Sequence, residues 1–234
     1  MPTNTSVPYS CSFSFSEVKI FETLTSEELD LIQKNSIEVS YKKGEMIFKQ
    51  GTFATHIGVL TEGLAKMFIG DPNSDQKLIL KILPPINLLG ISFLSEDNSV
   101  FFYSVKAYID SKVELIDINV VRKIIGQNPK FAKRIIDVMC EHTLINYGRF
   151  FCMTHKQTYG RMADVLLCLA NRIYKTNQFD LELSRKELAE LAGMSIESTT
   201  RILTKFKSEN LISIKGKSYD ILDAQKLVEI SQKG

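Results

Sequence analysis

The sequence contains no tryptophan, and its six prolines and twelve glycines in 234 residues are too few for a collagen-like or proline-rich low-complexity chain. Its four cysteines, Cys11, Cys140, Cys152 and Cys168, form no C-x-x-C pair, so neither a cysteine-ligated metal site nor a disulfide framework is indicated. No apolar run reaches the ~18 residues of a membrane span; Lys81, Pro84 and Pro85 interrupt the longest one. The opening MPTNTSVPYSCSFSFS has no basic segment followed by an apolar one, so no signal peptide is expected and the protein is expected to be cytoplasmic. The phosphate loop G-x-x-x-x-G-K-[ST], the zinc helix H-E-x-x-H and the nucleophile elbow G-x-S-x-G are all missing, which argues against an enzyme.

Arginine supplies the most informative absence, because none precedes Arg122. Residues 1–121 carry ten Lys and fifteen acidic side chains, a net charge of −5, whereas residues 122–234 carry twelve Lys, seven Arg and twelve acidic side chains, a net charge of +7. Such asymmetry predicts an acidic part with a separate task and a basic part that meets nucleic acid.

Residues 1–16, rich in Ser, Thr and Pro, are expected to form a flexible tail. Thr25 and Glu28 have capping-box spacing ahead of a short helix. From Ile37 to Ile118 the pattern becomes short β-rich segments, IEVSY, EMIFKQ, HIGVLTEG, LAKMFIG, KLILKIL, VFFYSVKAYI and KVELIDI, separated by Gly and Pro turns. Strands this short at this spacing predict a compact antiparallel barrel or sandwich. A helix of nearly thirty residues follows, from Lys130 to about Thr158. One of its stripes, at 3-4 spacing, contains Ile135, Val138, His142, Ile145 and Cys152, and is expected to pair with its own copy in a homodimer while flanking apolar faces cover the barrel. Cys152 and His155 lie one turn apart, but without further ligands nearby they predict no metal site.

The most specific passage begins at Ser184, which has capping-box spacing to Glu187 and opens the helix RKELAELA. Gly193 permits a turn, and Ser195 caps a second helix running to about Asn210. Leu188, Ala192, Met194, Ile202, Leu203 and Phe206 supply the inner surface, and Ala189 is small where the helices cross. This is a helix-turn-helix pattern. On the second helix Glu197, Thr200 and Arg201 share one outer face. Arg suits guanine O6 and N7, Glu suits cytosine N4, and Thr suits a thymine methyl. Lys215-Gly216-Lys217 forms the tip of a following hairpin suited to phosphate, and Ser195 and Lys205 join these lysines as expected backbone contacts.

LSRKELAELAGMSIESTTRILTKFKSENLISIKGKSYDIL resembles the winged helix-turn-helix of the Crp/Fnr family of bacterial transcription regulators, and the order barrel, long helix, winged domain resembles that family over nearly the whole chain. The resemblance implies an α+β fold: an N-terminal antiparallel β-roll of the cyclic-nucleotide-binding type, a long dimerisation helix and a C-terminal winged helix-turn-helix. The implied boundaries are a tail over 1–16, a sensor domain over 17–128, the helix over 129–158 and the DNA-binding domain over 159–234. Glu197, Thr200 and Arg201 match the Fnr-type E-x-x-S-R pattern with Thr for Ser. Ile196 stands where the Crp branch has an arginine, so the expected half-site is TTGA or close to it. Double-stranded DNA and a second copy of the chain are the implied partners, and an activator would also touch RNA polymerase.

In the sensor domain the family's cyclic-nucleotide site uses a Gly-Glu pair and an Arg-Ser or Arg-Thr pair, but here Gly90 is followed by Ile91, and Phe101 and Phe102 occupy the second pair. Cyclic AMP is therefore not expected. Cys11 stands alone, so the Fnr iron–sulfur sensor is not expected either. No cofactor is predicted; haem is the alternative, with axial ligands sought among His56, Met46, Met67, His142 and His155. The effector is otherwise unidentified, and Phe93, Phe101, Phe102 and Tyr103 either line its pocket or form an aromatic core. An adaptor whose winged domain holds protein instead of DNA is the remaining reading.

Overall fold

The computed structural model describes residues 20–71, 73–97 and 99–234; the tail expected over 1–16, with Cys11, lies outside them. The described chain divides into two compact units between His142 and Thr143.

The first unit begins with helix α1 (Ser26–Lys34), where the Thr25 Oγ1 accepts from the Glu28 N–H at 3.3 Å and the Thr25 N–H donates to the Glu28 carboxylate at 2.8 Å. This reciprocal cap satisfies two of the amides that a helix start leaves open. Eight strands follow, β1 (Ser36–Tyr41), β2 (Met46–Phe48), β3 (His56–Glu62), β4 (Ala65–Gly70), β5 (Lys77–Leu83), β6 (Asn87–Leu89), β7 (Ser104–Ala107) and β8 (Ser111–Asp117). They pair antiparallel into two four-stranded sheets, ordered β1-β8-β3-β6 and β2-β7-β4-β5. Val39 faces Val113 across one sheet and Met67 faces Val105 across the other. Leu60, Ala65, Leu83, Leu89, Val105 and Val113 are fully buried in the core they enclose.

Three details depart from the sequence expectation. Strand β6 follows the turn at Pro84-Pro85, where Ile86 adopts φ 65°, a conformation costly for a β-branched residue; its N–H donates to the Leu60 carbonyl at 2.7 Å. The segment expected as one long strand from Val100 contributes only Ser104–Ala107: Phe101, buried in the core, exchanges backbone hydrogen bonds with Gly51 and Thr52, and the chain bends at Phe102 and Tyr103. The last strand ends at Asp117, whose side chain caps helix α2 (Ile118–Gln127). Helix α3 then runs from Pro129 to His155.

The second unit holds the distal part of α3, helix α4 (Thr158–Cys168) continued by a π-helical segment Leu169–Tyr174, strand β9 (Gln178–Asp180), helices α5 (Arg185–Ala192) and α6 (Ile196–Ser208), strands β10 (Ile212–Lys215) and β11 (Ser218–Ile221), and helix α7 (Ala224–Lys233). β10, β11 and β9 form an antiparallel sheet in that order. α7 was not foreseen; Asp223 caps it through the Lys226 N–H, and Leu227 is fully buried. Between α4 and α7 lies a buried charge cluster. The Lys156 ammonium sits 2.6 Å from the Asp164 carboxylate, the two side chains are 9% and 2% exposed, and the Ser231 hydroxyl donates to the other Asp164 oxygen. A pair so removed from water holds only because each partner satisfies the other.

Candidate nucleic-acid interface

Two capped helices and a tight turn build the surface. Ser184 and Glu187 form the predicted capping box on α5. α5 ends at Gly193, in the left-handed region at φ 61°, and a Cβ there would come within 2.4 Å of the Met153 Cε. The left-handed φ is what favours glycine at this turn, since the flexible Met153 methyl could give way to a Cβ. Ser195 caps α6, accepting from the Ser198 N–H at 3.1 Å and donating to the Ser198 hydroxyl at 3.0 Å. Leu188, Ala189, Ala192, Ile202, Leu203 and Phe206 are buried between the two helices, as their spacing predicts.

α6 therefore turns Glu197, Thr200 and Arg201 outward, and all three are exposed. Among the described residues neither Glu197 nor Arg201 makes an ion pair, although they stand four residues apart. The Thr200 hydroxyl donates to the Ile196 carbonyl at 2.9 Å, which leaves its methyl as the group available to a base. The four-residue spacing thus presents a carboxylate, a methyl and a guanidinium side by side.

The flanking cations differ from one another. Lys215 is exposed without an ion pair among the described residues. Lys217, beyond Gly216 at the wing tip, lies 3.1 and 3.0 Å from the two oxygens of Glu182. Lys205 sits 4.7 Å from the Tyr159 ring centroid and 3.8 Å from the Glu209 carboxylate. The Tyr159 hydroxyl in turn donates to Glu209, and burial with that hydrogen bond raises its pKa. Two of the lysines expected to contact phosphate are thus already engaged, Lys205 in part through its i,i+4 neighbour Glu209 and both through partners distant in sequence.

Two supports were likewise missed. The Arg149 guanidinium, on the distal part of α3 and 5% exposed, donates to the Leu191 carbonyl in the last turn of α5 at 2.9 Å, a position where a cation complements the helix dipole. Arg185, the first residue of α5, donates to the Tyr219 hydroxyl at 2.7 Å, and Tyr219 stacks on Phe179, which stacks on Tyr174. These contacts tie the helix-turn-helix to the long helix and the wing to α5.

The stripe expected to form the dimer seam is largely covered within the chain itself. Ile135, Val138 and Cys152 are buried within their own units at 6%, 2% and 0% exposure, and His142 and Ile145 are half-buried. They face inward because neighbouring elements of the same chain cover them. On the opposite side of α3, Ile136, Cys140, Thr143, Tyr147, Phe150 and Thr154 follow the same 3-4 spacing and are exposed, flanked by Met139, Leu144 and Phe151. Cys152 points inward while His155 stacks on Phe151 at the surface, so the two form no pair. Among the described residues no group of three His, Cys, Asp or Glu side chains is placed to hold a metal, and no helix is long and apolar enough to cross a membrane.

In the sensor unit Phe93, Phe101 and Tyr103 are buried, but Phe102 is 65% exposed and joins no interior pocket. Phe101 stacks on Phe48 with centroids 4.6 Å apart and meets Phe93 edge-on at 4.9 Å. Tyr103 hydrogen-bonds at Ser92 and the Gly90 backbone, and burial raises its pKa to about 12. The segment Gly90–Phe93 therefore closes on the protein's own aromatic side chains.

Residues 38–128 match the cyclic nucleotide-binding domain family, and residues 160–230 match the Crp-like helix-turn-helix domain family. The chain is similar to the transcriptional activator protein Anr of Pseudomonas protegens, 26% identical over 195 residues that cover 81% of this chain and 78% of the relative. It is also similar to the fumarate and nitrate reduction regulatory protein of Vibrio cholerae, 24% identical over 223 residues covering 93% and 88% of the two chains. In fold it resembles FixK2 of Bradyrhizobium japonicum, with a TM-score of 0.75 at 18% identity over 83% of this chain and 96% of that one. An N-terminal sensor domain, a capped helix-turn-helix and a small wing in this order place the chain in the Crp/Fnr family of DNA-binding transcription regulators, which are not enzymes.

Proposed function

We propose that the protein acts as a homodimer on an inverted repeat with TTGA-like half-sites, with α6 in the major groove. The observation that carries this reading is the exposed, unpaired trio on α6: Arg201 for guanine, Glu197 for cytosine N4 and the Thr200 methyl for thymine. Lys215 supplies a free phosphate contact at the wing, and Lys217, Lys205 and Ser195 become contacts once their present partners are exchanged for phosphate.

The second copy pairs through the outer stripe of α3, since a run of exposed Ile136, Tyr147 and Phe150 at coiled-coil spacing is surface that a partner helix covers. In this reading the sensor domain runs to residue 128, the dimerisation helix spans 129–158 and the DNA-binding domain spans 159–234, the boundaries the sequence implies. The sensor domain responds to an effector other than cyclic AMP, a reading supported by Ile91, Phe101 and Phe102, which the resemblance sets where a ribose and cyclic phosphate would need charged partners.

The test is a salt-titrated mobility shift on a palindromic TTGA duplex and a scrambled duplex. Tight binding to the first that falls steeply with salt is expected; equal affinity for both sinks the base-reading assignment.

A further inference from the structure

In the first unit an apolar cavity between Ile57, Leu88, Ile91 and Phe131 measures about 10 Å³, at most the space of one water. On the same unit a groove of about 380 Å³ opens along β2 and the start of β3, a volume within the ~300–1,000 Å³ of small-molecule sites.

The groove's chemistry is one-sided. Met46, Phe48, Phe53 and Phe101 give it apolar walls, and Phe53 and Met46 remain 73% and 41% exposed. None of its lining residues is acidic. Lys49 lines it without an ion pair among the described residues. The His56 Nδ1 is engaged by the Thr55 hydroxyl at 2.9 Å, which leaves Nε2 as the second polar group. An aromatic ring complements Phe53 and Met46, and a single carboxylate complements a single ammonium beside an imidazole.

We propose that this groove binds an aromatic monocarboxylate as the effector of the sensor domain. Its floor connects to the rest of the unit: Phe101 stacks on Phe48 and meets Phe93 edge-on, and Arg122 on α2 donates to the carbonyls of Phe93, Leu94 and Ser95. A ligand that shifts Phe101 therefore acts on the segment that Arg122 holds. The effector role rests on the regulator reading above, whereas the binding site does not.

Calorimetry on the full chain with phenylacetate and its neutral isostere phenylacetamide tests the site. Saturable phenylacetate binding is expected, with phenylacetamide about tenfold weaker, the equivalent of one charge-assisted contact. Lys49→Gln should erase that difference, and Phe53→Ala should weaken both ligands. Mobility shifts should register a change in DNA affinity in the wild type at half-saturating phenylacetate, and Lys49→Gln should need about tenfold more phenylacetate for the same change. Absence of saturable binding, or a preference for phenylacetate that survives Lys49→Gln, overturns the site. Binding that leaves DNA affinity unchanged overturns the effector role. Phenylacetate binding by a chain that shifts no DNA would overturn the regulator reading and leave the site standing.

Discussion

The wing lysine and its carboxylate partner offer a sharp test of the interface. Lys217 approaches both Glu182 oxygens, with side chains 67% and 26% exposed, and a pair this open to solvent contributes about 0.2–1 kcal/mol. DNA phosphate must displace Glu182 before Lys217 can contribute. Glu182→Gln removes that competition, and it should tighten DNA binding by up to about fivefold per half-site, which is the same energy expressed as a ratio. Each new phosphate contact also releases counterions and should steepen the slope of log affinity against log salt by about 0.9. Fluorescence anisotropy between about 50 and 200 mM salt on specific and random duplexes would show both affinities rising together, because a phosphate contact carries no sequence information. Lys217→Ala should cost little in the wild-type background and more beside Glu182→Gln, a coupling that a double-mutant cycle isolates. If Glu182→Gln leaves the salt slope unchanged and Lys217→Ala has one effect in both backgrounds, the wing tip does not meet phosphate.

Arg201→Ala should cost about 1–3 kcal/mol on the specific site and relax discrimination at one base pair of each half-site; binding-site selection that returns the wild-type preference refutes this. Asp164→Ala, which strands the buried Lys156 ammonium, should destabilise the second unit by about 3–5 kcal/mol in urea, whereas the apolar double replacement Lys156→Met with Asp164→Leu should cost far less; a single variant within about 1 kcal/mol of wild type would show the pair to be solvated. Ile136→Glu with Tyr147→Glu should yield monomers by light scattering, whereas the wild type should crosslink under mild oxidant through Cys140, a link that Cys140→Ser removes; an unchanged dimer in the Glu variant rejects the outer stripe as the seam. Burial, then the positive charge of Lys81, lowers the His142 pKa from 6.5 to about 3. The unfolded chain thus takes up a proton that the folded chain refuses, so stability should fall as pH drops from 6.5 toward 3, and a melting temperature as acid-sensitive in His142→Gln as in wild type would refute the burial.

Local chemistry carried much of this protein into view from sequence alone. The capping boxes at Thr25 and Ser184, the turn glycine Gly193 and the outward trio on α6 are set by residues within a few positions of one another, and the structure keeps each where spacing placed it. Asp223 ahead of a helical pattern is an equally local signal for the start of α7. The β-rich run announced the sheets, but not the bend at Phe102 and Tyr103 that shortens the strand after Val100.

Everything that depends on which surface meets which waited for the tertiary structure. α3 has apolar residues at 3-4 spacing on two opposite sides, and periodicity counts both equally; only the neighbours that cover Ile135, Val138 and Cys152 decide that Ile136, Tyr147 and Phe150 face out. Lys217 reads as a free cation because Glu182 is 35 residues away, and Lys205, whose i,i+4 neighbour Glu209 is legible locally, also meets Tyr159, 46 residues away. The pairing of Lys156 with Asp164 and Ser231, and the reach of Arg149 to Leu191, join helices that no local pattern connects. Capping and turn formation are short-range and leave a signature in the sequence, whereas the choice of buried face and the partner of each charge are settled by desolvation and by contacts between distant segments, which exist only once the chain has packed.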